Sequence, residues 1–337
     1  MFLKVTLYLI IVSISVYAQP AVEFVRSYGG QTTDHLMDIY AVSNGDFVMC
    51  GWKEINQGVS RYWVIMIDSH GDVIWSNLYE GGIGFTIIET EEGNLLSAGA
   101  DANGIKAILC ENNGDIIWSN NFGYGRCKAV IELKSGEFLL AGHISIFNQR
   151  WGYLAMIDSE GELQWERNYQ PQGDGEFNAM RETEGGVVLV GMNNNFREGW
   201  LVKADIENEG EIIWVRRHND HGLKEFQSIT SVLDGGFALT GLLQDVQRFG
   251  VPRTFFILKI DDDGDEEWIN FPNHDEGYHE WATTILGTGG TGFIAAGKQR
   301  QGNGRNDGYE PAAFRTNSEG VLRWQTTYEL DDLIDIP

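Results

Sequence analysis

Cysteine is scarce in this sequence and odd in number. There are three in 337 residues, Cys50, Cys110 and Cys127. At least one thiol therefore stays unpaired, even if an oxidising compartment joins the other two in a disulfide. Because Cys50 and Cys110 stand within apolar, strand-like runs, we expect small, buried hydrophobic side chains at those positions.

Positive charge is also scarce. The chain has 24 Lys and Arg against 49 Asp and Glu, for a net charge of −25. Binding to nucleic acid or to an anionic membrane surface requires a basic patch that neutralises phosphates, so the charge balance argues against both partners. Because the acidic residues are spread along the chain, we expect them to serve first for solubility and second as a source of affinity for cations.

Only one stretch of the sequence is long and apolar, and it stands at the beginning. Lys4 precedes an apolar run over residues 5–17, which ends in small residues of the kind that signal peptidase recognises. This pattern predicts an export signal over residues 1–18 and a periplasmic or extracellular mature chain from Gln19, whose net charge becomes −26 once Lys4 is removed. The run is shorter than the roughly 20 apolar residues that span a bilayer, so no transmembrane anchor is predicted.

Helical periodicity is absent from the rest of the sequence, and a short motif recurs in its place. Successive tryptophans of this Gly-x-x-x-Trp motif stand 43, 47, 49, 54 and 56 residues apart. The six copies are Gly71 to Trp75, Gly114 to Trp118, Gly161 to Trp165, Gly210 to Trp214, Gly264 to Trp268, and Gly320 to Trp324. Such a period indicates a chain built from tandem structural units.

Two kinds of tight turn recur in step with this motif. An acidic or amide residue stands three positions before each motif glycine, which suits a hairpin in which the side chain bonds the backbone and the glycine supplies a positive φ. These residues are Asp68, Glu111, Asp158, Glu207, Asp261 and Asn317. A second hairpin glycine precedes a strand-ending glycine in each unit. The pairs are Gly45 and Gly51, Gly93 and Gly99, Gly136 and Gly142, Gly185 and Gly191, Gly235 and Gly241, and Gly292 and Gly297.

Each unit contains four short apolar segments of strand length. In the first unit these strands are predicted over residues 36–42, 47–52, 62–67 and 73–79. Four strands in each of six units of about 50 residues predict an all-β fold, a six-bladed β-propeller of four-stranded antiparallel blades, as a single domain over residues 19–337. Segments similar to the fourth strand occur at residues 24–28 and 324–328. We therefore expect strands from both termini to close the ring within the last blade.

The repeat resembles that of the tandem-repeat propellers of secreted bacterial proteins. Tyr28-Gly29-Gly30, Asp234-Gly235-Gly236-Phe237 and the segment from Lys259 to Trp268 match the pieces Y-G-G, D-G-G-Y and K-x-D-x-x-G-x-x-x-W of that family. Proteins of this kind carry quinoprotein-like, bulb-type lectin-like and endoglucanase labels. The tryptophan-docking spacing of the quinoproteins and the lectin motif Q-x-D-x-N-x-V-x-Y are both absent. The resemblance therefore implies the propeller fold and no catalytic residue.

Two classes of tryptophan have different expected roles. The six motif tryptophans occupy one position in the repeat, so we expect them to pack between blades. The repeat does not require the other five, which are candidates for a platform on which a glycan stacks. These are Trp52, Trp63, Trp151, Trp200 and Trp281.

Histidines and acidic residues gather in the loops after the motif strands. Equivalent repeat positions lie on one face of a ring, so these residues are expected to lie along one arc. They are His35, His218, Asp220, His221, His274, Asp275 and His279. Imidazole with carboxylate suits Zn, Cu or Ni, which makes this group a candidate site for a divalent cation, whereas solvated loop histidines are the ordinary alternative. No other cofactor is indicated.

No catalytic signature accompanies these candidates. The Gly-x-Ser-x-Gly elbow and the phosphate-binding loop are absent, and the many carboxylates leave no single pair distinguished. The sequence therefore favours an exported, non-enzymatic binding or scaffold propeller for a glycan or protein ligand, with contacts in the long loops of units one, five and six. Two alternatives stay open, a propeller enzyme acting on polysaccharide and a purely structural repeat protein.

Overall fold

A computed structural model of the chain describes residues 26–30, 33–56, 58–193, 198–218, 223–243, 255–272, 278–301, 310–328 and 335–336. Within these ranges all regular secondary structure is β-strand. The same ranges accordingly contain no helix of the length and hydropathy needed to cross a membrane. The predicted export signal lies outside the described residues.

Six four-stranded antiparallel sheets, termed blades 1 to 6, each take their strands in chain order. Blades 1 to 3 comprise β2 (Asp34–Ala41), β3 (Phe47–Asn56), β4 (Val59–Ile67), β5 (Val73–Tyr79); β6 (Ile83–Glu89), β7 (Leu95–Asp101), β8 (Gly104–Cys110), β9 (Ile116–Asn121); and β10 (Gly125–Glu132), β11 (Phe138–Ile146), β12 (Gln149–Ile157), β13 (Leu163–Tyr169). Blades 4 to 6 comprise β14 (Glu176–Thr183), β15 (Gly186–Asn193), β16 (Glu198–Asp205), β17 (Glu211–His218); β18 (Leu223–Ser231), β19 (Phe237–Leu243), β20 (Ile257–Ile260), β21 (Glu266–Asn270); and β22 (Tyr278–Gly287), β23 (Phe293–Gln301), β24 (Glu310–Thr316), β25 (Leu322–Thr327).

The blades are arranged in a ring, and the fold is the six-bladed β-propeller that the repeat predicts. The first strand of each blade is innermost. In blades 2 to 5 it packs against the second and third strands of the preceding blade, and in blade 6 β22 packs on β18 and β19. For example, β6 packs on β3 and β4, and β10 packs on β7 and β8. Because each sheet covers the next, the apolar core is divided among the joints between blades.

The chain ends meet beside blade 1. A short strand, β1 (Ser27–Tyr28), pairs in parallel with β26 (Asp335–Ile336), and the hydroxyl of Tyr28 donates a hydrogen bond to the carbonyl of Gly71 at 2.7 Å. Blade 6 draws all four of its strands from the continuous chain between β22 and β25. Strands from both termini thus pair with each other outside the sixth sheet, which corrects the expectation that they share the last blade.

Five of the six motif tryptophans pack between blades, as expected from their place in the repeat. The indole Nε1 of Trp118 donates to the carbonyl of Ser159, in the turn of the next blade, at 2.8 Å. A Cβ on Gly161 would lie 2.8 Å from Cδ2 of the same indole. The glycine and the tryptophan of the motif therefore meet across a joint, since the small residue of one blade makes room for the ring of the blade before it. The same contact joins Trp75 with Gly114, Trp165 with Gly210, Trp214 with Gly264, and Trp268 with Gly320.

The tight turns form where the glycines predict them, with differences in the fourth and sixth units. In the sixth unit the amide of Thr291, rather than that of Gly292, donates within the second hairpin, and the carbonyl of Gly292 accepts from the Thr288 amide. The amide of Gly71 donates to the carbonyl of Asp68, as the repeat predicts. In the fourth unit the amide of Gly210 donates instead to the carbonyl of Asp205. The prediction that Glu207 begins this turn is wrong, because the turn is longer here and the side chain of Asp205 accepts the Glu207 amide.

All three cysteines are free and buried, which confirms the prediction for Cys50 and Cys110. Burial raises the pKa of the Cys110 thiol to about 11 and that of Cys127 to about 12. These thiols are therefore protonated at neutral pH and act as small apolar side chains.

Candidate functional site

One face of the ring, termed the front face, carries the beginning of every innermost strand. Its connections run from the outer strand of one blade to the inner strand of the next, as at residues 80–82 and 122–124. It also carries the hairpins between second and third strands, such as residues 102–103 and 147–148. The long loop predicted as a contact site in unit one lies on this face, whereas those of units five and six fall mostly outside the described residues.

Every innermost strand has a β-bulge at the same place in its sequence. A bulge leaves one residue outside the regular pairing and turns its side chain in a new direction. The six bulged residues, termed the bulge row, are Met37, Phe85, Lys128, Asn178, Gln227 and Thr283. Two positions earlier stands a second set, termed the mouth row. Its members are His35, Ile83, Arg126, Glu176, Glu225 and Trp281. Both rows surround the centre of the ring, and no residue type occurs twice in the bulge row.

A network of charged side chains joins the two rows in blades 3 and 4. The carboxylate of Glu176 accepts a hydrogen bond from Nζ of Lys128 at 3.1 Å and another from the guanidinium of Arg150 at 3.0 Å. Nδ1 of His143 lies 3.1 Å from Oε2 of Glu176, although the ring is not aligned for a hydrogen bond. Arg150 also contacts Asp174 at 3.5 Å. One buried carboxylate thus holds two cationic side chains and an imidazole in place.

The network continues into blade 5 through amide side chains. Nζ of Lys128 donates to Oδ1 of Asn178 at 3.3 Å. Nδ2 of Asn178 donates in turn to Oε1 of Glu225 at 3.2 Å, and the same oxygen accepts a short hydrogen bond from Gln227. Polar contacts therefore link three consecutive innermost strands at the level of the two rows.

The two glutamates of this network have opposite pKa shifts. Burial disfavours ionisation of Glu176, but the contacts with His143 and Lys128 outweigh burial and lower the pKa of its carboxyl from 4.5 to about 2. Burial also raises the pKa of Glu225, and the charge of Glu176 raises it further, against an opposing effect of Lys128. Glu176 is therefore ionised at any physiological pH, whereas Glu225 takes up a proton more readily than an exposed glutamate.

A cleft opens to solvent on the front face between blades 2 and 3. Its volume is about 460 Å³, within the range of small-ligand pockets. The aromatic and charged side chains that line it, together with one imidazole, are Phe85, Asp101, Tyr124, Arg126, His143 and Arg150. The hairpin of blade 2 is short, at residues 102–103, and this leaves the cleft open.

Two of the five tryptophans predicted to form a glycan platform are buried, so the prediction is wrong for these two. The Trp63 side chain is only 2% exposed, and its Nε1 donates to the hydroxyl of Ser76 at 2.8 Å. Trp200 is 3% exposed and stacks on Phe177, with ring centres 4.6 Å apart. Neither ring has a face open to a sugar, because each is packed into the core between sheets.

The other three tryptophans are partly exposed and lie towards the front face. Trp52 stacks on His35, with ring centres 4.8 Å apart. Nζ of Lys298 lies 4.7 Å from the ring centre of Trp281. Trp151 belongs to the hairpin of blade 3, where its Nε1 donates to the side chain of Gln149 at 3.3 Å. Their role in glycan binding stays a prediction.

The structure does not bring the described histidines of the proposed metal group together. His35 belongs to blade 1, whereas His218 ends blade 4 and contacts Phe226 of blade 5 edge to face, with ring centres 5.7 Å apart. In the part of the chain that the structure describes, no three His, Cys, Asp or Glu side chains are arranged to hold a metal ion. The remaining candidates have no described side chain. These are Asp220, His221, His274, Asp275 and His279.

Sequence reasoning missed the charged network, although the repeat contained a signal for it. In every blade the strand-ending glycine pairs with a residue next to the bulge, as Gly142 pairs with Cys127 and Gly191 with Phe177. The glycine therefore marks the bulge, and the residue after it faces the mouth row, as His143 faces Arg126. A comparison of these marked positions among units would have identified the sites at which the repeat varies.

The chain is similar to solved β-propellers over most of its length. Sqt1 from Chaetomium thermophilum matches with a TM-score of 0.54 and 11% identity, over 88% of this chain and 72% of that one. A putative 6-phosphogluconolactonase from Bacteroides uniformis matches with a TM-score of 0.56 and 10% identity, over 85% and 82%. The Dos1 propeller matches with a TM-score of 0.56 and 10% identity, over 89% and 75%.

These likenesses establish the fold and carry no activity with them, because their identities are very low. No protein family model matches the chain, and no curated protein matches it significantly. The resemblance to secreted bacterial tandem-repeat propellers therefore stays a prediction. The comparisons show the architecture alone, which is a β-propeller.

Proposed function

We propose that this chain is an exported, non-enzymatic binding or scaffold propeller whose ligand contacts lie on the front face. The observation that carries the proposal is the contrast between a repeated framework and varied rows at its centre. Turn glycines and joint tryptophans recur from blade to blade, whereas the bulge row contains six different residue types. A ring built only for support would not need different chemistry at equivalent positions.

The cleft between blades 2 and 3 supports this proposal. Open clefts that combine aromatic and charged side chains on a rigid scaffold are typical of ligand sites. Tyr124 is 67% exposed at the edge of this cleft, and the charged network behind it is held by Glu176. The ligand class that we favour is a glycan, with a protein surface as the alternative.

A propeller enzyme acting on polysaccharide is the second candidate, and one observation favours it. Two glutamates with opposite pKa shifts in one network are the arrangement that acid and base catalysis requires. Against it, Glu176 is 4% exposed and its carboxylate is occupied by Lys128 and Arg150. A carboxylate held in this way is suited to positioning cations rather than attacking a sugar.

The proposal is tested by binding and turnover measured on the same purified protein. An array of neutral and acidic oligosaccharides reports binding, and a reducing-sugar assay on the oligosaccharides that bind reports hydrolysis. We expect binding without release of reducing ends. Tyr124→Ala, on the front face, should weaken binding to the array, whereas Leu233→Ala should not, because Leu233 is 79% exposed on the opposite face.

Each other outcome contradicts the proposal in a different way. Release of reducing ends would establish the enzyme, and loss of binding in Leu233→Ala alone would move the site to the opposite face. Absence of binding to every oligosaccharide and to immobilised proteins from the same compartment would leave the purely structural alternative.

A further inference from the structure

The cleft between blades 2 and 3 is unusual in its charge. The chain as a whole carries 49 acidic and 24 basic residues, yet this region gathers three cations, Arg126, Lys128 and Arg150, around two carboxylates, Asp174 and Glu176. Of the side chains that line the cleft, Arg126 and Arg150 are cationic and Asp101 is anionic, a balance of one positive charge. Glu225, which reaches Lys128 through Asn178, lies outside that lining. A cationic cleft in an acidic protein draws anions to one place, because the rest of the surface repels them.

Only one of these cations is left to bind an external anion. Lys128 and Arg150 both contact Glu176, at 3.1 and 3.0 Å. Arg126 has an exposed side chain and, among the described residues, no carboxylate within ion-pair distance. Its guanidinium lies 5.8 Å from the ring centre of Phe85. The planar guanidinium is therefore available for a bidentate contact with a carboxylate.

The remaining carboxylate of the cleft, Asp101, is paired with a lysine of its own blade. Asp101 lies 3.5 Å from Nζ of Lys106 and accepts hydrogen bonds from the Asn103 amide and from Asn121. It is therefore satisfied within blade 2 and does not neutralise Arg126. Glu176 keeps Lys128 beside Phe85. The Phe85 ring therefore has two neighbouring cations, Arg126 and Lys128, and this side of the cleft is positively charged.

The shape and the lining of the cleft indicate that the carboxylate bound by Arg126 belongs to a carbohydrate. A cleft of about 460 Å³ admits a small ligand, whereas a stable protein partner buries roughly 800 Å² on each side. A neutral sugar would cover Arg126 without pairing it, and leaving a covered charge unpaired is costly. The exposed ring of Tyr124 stands at the edge of the cleft, where its flat face can pack on the C–H face of a sugar ring.

We infer that the cleft binds a uronic-acid-containing oligosaccharide, with the uronate carboxylate on Arg126 and the sugar ring against Tyr124. This inference rests on the proposed binding function and specifies its ligand class. Glu176 acts as a positioning residue, since it holds Lys128, Arg150 and His143 and does not itself contact the ligand.

Calorimetric titration with uronate trimers tests the inference. The probes are trigalacturonate, its glucuronate and mannuronate counterparts, and the methyl ester of each, which keeps the sugar and removes the charge. We expect at least one acid trimer to bind, its ester to bind at least about tenfold more weakly, and added NaCl to weaken binding of the acid. Arg126→Gln should reduce affinity for the acid by about tenfold or more and leave affinity for the ester unchanged.

Arg323→Gln is the matched control, because Arg323 is exposed on the outer strand of blade 6 and should have no effect. Thermal denaturation of both variants verifies that they are folded. Equal affinity for acid and ester, or no effect of Arg126→Gln, would overturn the inference. Binding of hexaglutamate that depends on Arg126, without binding of any uronate, would replace the sugar by an acidic peptide.

The two proposals fail in distinguishable ways. If neutral oligosaccharides or proteins bind while no uronate does, the binding function stands and the uronate assignment falls. If the array, the uronates and the immobilised proteins all fail to bind, both fall together.

Discussion

Glu176 is the residue on which the geometry of the cleft most depends. Its carboxylate belongs to blade 4, whereas Lys128, His143 and Arg150 all belong to blade 3. The contacts therefore shape the cleft and fasten two blades together. The lowering of its pKa from 4.5 to about 2 means that the folded state favours the ionised carboxylate by about 3 kcal/mol more than the unfolded state does.

The sign of the resulting pH dependence follows from that shift. Because the pKa of Glu176 is lower in the folded state than in the unfolded state, its contribution to the free energy of unfolding is complete above pH 4.5. It is lost as the pH falls from 4.5 towards 2. Glu225 acts in the opposite direction, because its raised pKa favours the folded state at low pH and this contribution is lost as the pH rises.

Glu176→Gln is expected to lower the free energy of unfolding at pH 7 by about 2 kcal/mol, because it removes the buried negative charge that Lys128 and Arg150 share. The variant should also lose less stability than the wild type between pH 4.5 and pH 2. Urea denaturation at several pH values measures both effects. Glu162→Gln, at an exposed position in a turn of blade 3, is the control and should match the wild type. Equal stability of Glu176→Gln and the wild type throughout would show that these contacts contribute nothing.

At the scale of the element, each β-bulge depends on the strand-ending glycine that pairs beside it. Gly191 pairs with Phe177 beside the bulge of β14, and a Cβ added there would overlap the carbonyl oxygen of Glu176. A Cβ added at any of the other five strand-ending glycines would likewise overlap a carbonyl oxygen, that of the mouth-row residue in the same blade. The glycine is therefore required by close approach of two backbones, and the bulge that it permits turns a side chain towards the centre of the ring.

Gly191→Ala is expected to destabilise the protein by about 3 kcal/mol, since the obstacle is backbone and cannot move aside cheaply. The matched control is Gly136→Ala. Gly136 has a φ of +93° and no atom within 4 Å of an added Cβ, so only conformational strain of about 1 kcal/mol is expected there. Urea denaturation of both variants measures the difference. A larger loss at Gly136 than at Gly191 would contradict the steric explanation.

At the scale of the whole molecule, stability resides in the joints between blades. The largest core clusters each combine residues of two neighbouring sheets, such as Leu139 and Ala141 of blade 3 with Phe177 and Leu189 of blade 4. A single sheet has no core of its own, so neighbouring blades depend on one another. We therefore expect the ring to unfold as one cooperative unit.

Trp118 tests this expectation at the joint between blades 2 and 3. Trp118→Ala should lower the free energy of unfolding by about 3 kcal/mol, because it leaves a gap over Gly161. Trp118→Phe keeps a ring and loses the hydrogen bond to Ser159, so a loss of about 1 kcal/mol is expected. Thermal unfolding followed by tryptophan fluorescence and by far-ultraviolet circular dichroism should show one coincident transition in each variant. Two separated transitions would mean that blades melt independently.

Much of the architecture was predictable because it repeats. Six glycine and tryptophan spacings predicted the blades, and the hairpin glycines predicted the turns, with exceptions at Asp205 and Gly292. A repeated pattern is reliable since each copy tests the others. The burial of Trp63 and Trp200 was not predictable in this way, because departure from the repeat does not distinguish a residue on the surface from one that fills a particular joint.

The sequence by itself determined the number of blades, the four strands of each, the acidic character and the position of most tight turn glycines, because these depend on local spacing and composition. Only the tertiary structure decided which side chains meet at the centre of the ring. Arg126, His143 and Arg150 stand on different parts of blade 3, and Glu176 comes from blade 4. Ring geometry brings these side chains together through packing between sheets, and no local pattern encodes which neighbours that packing will supply.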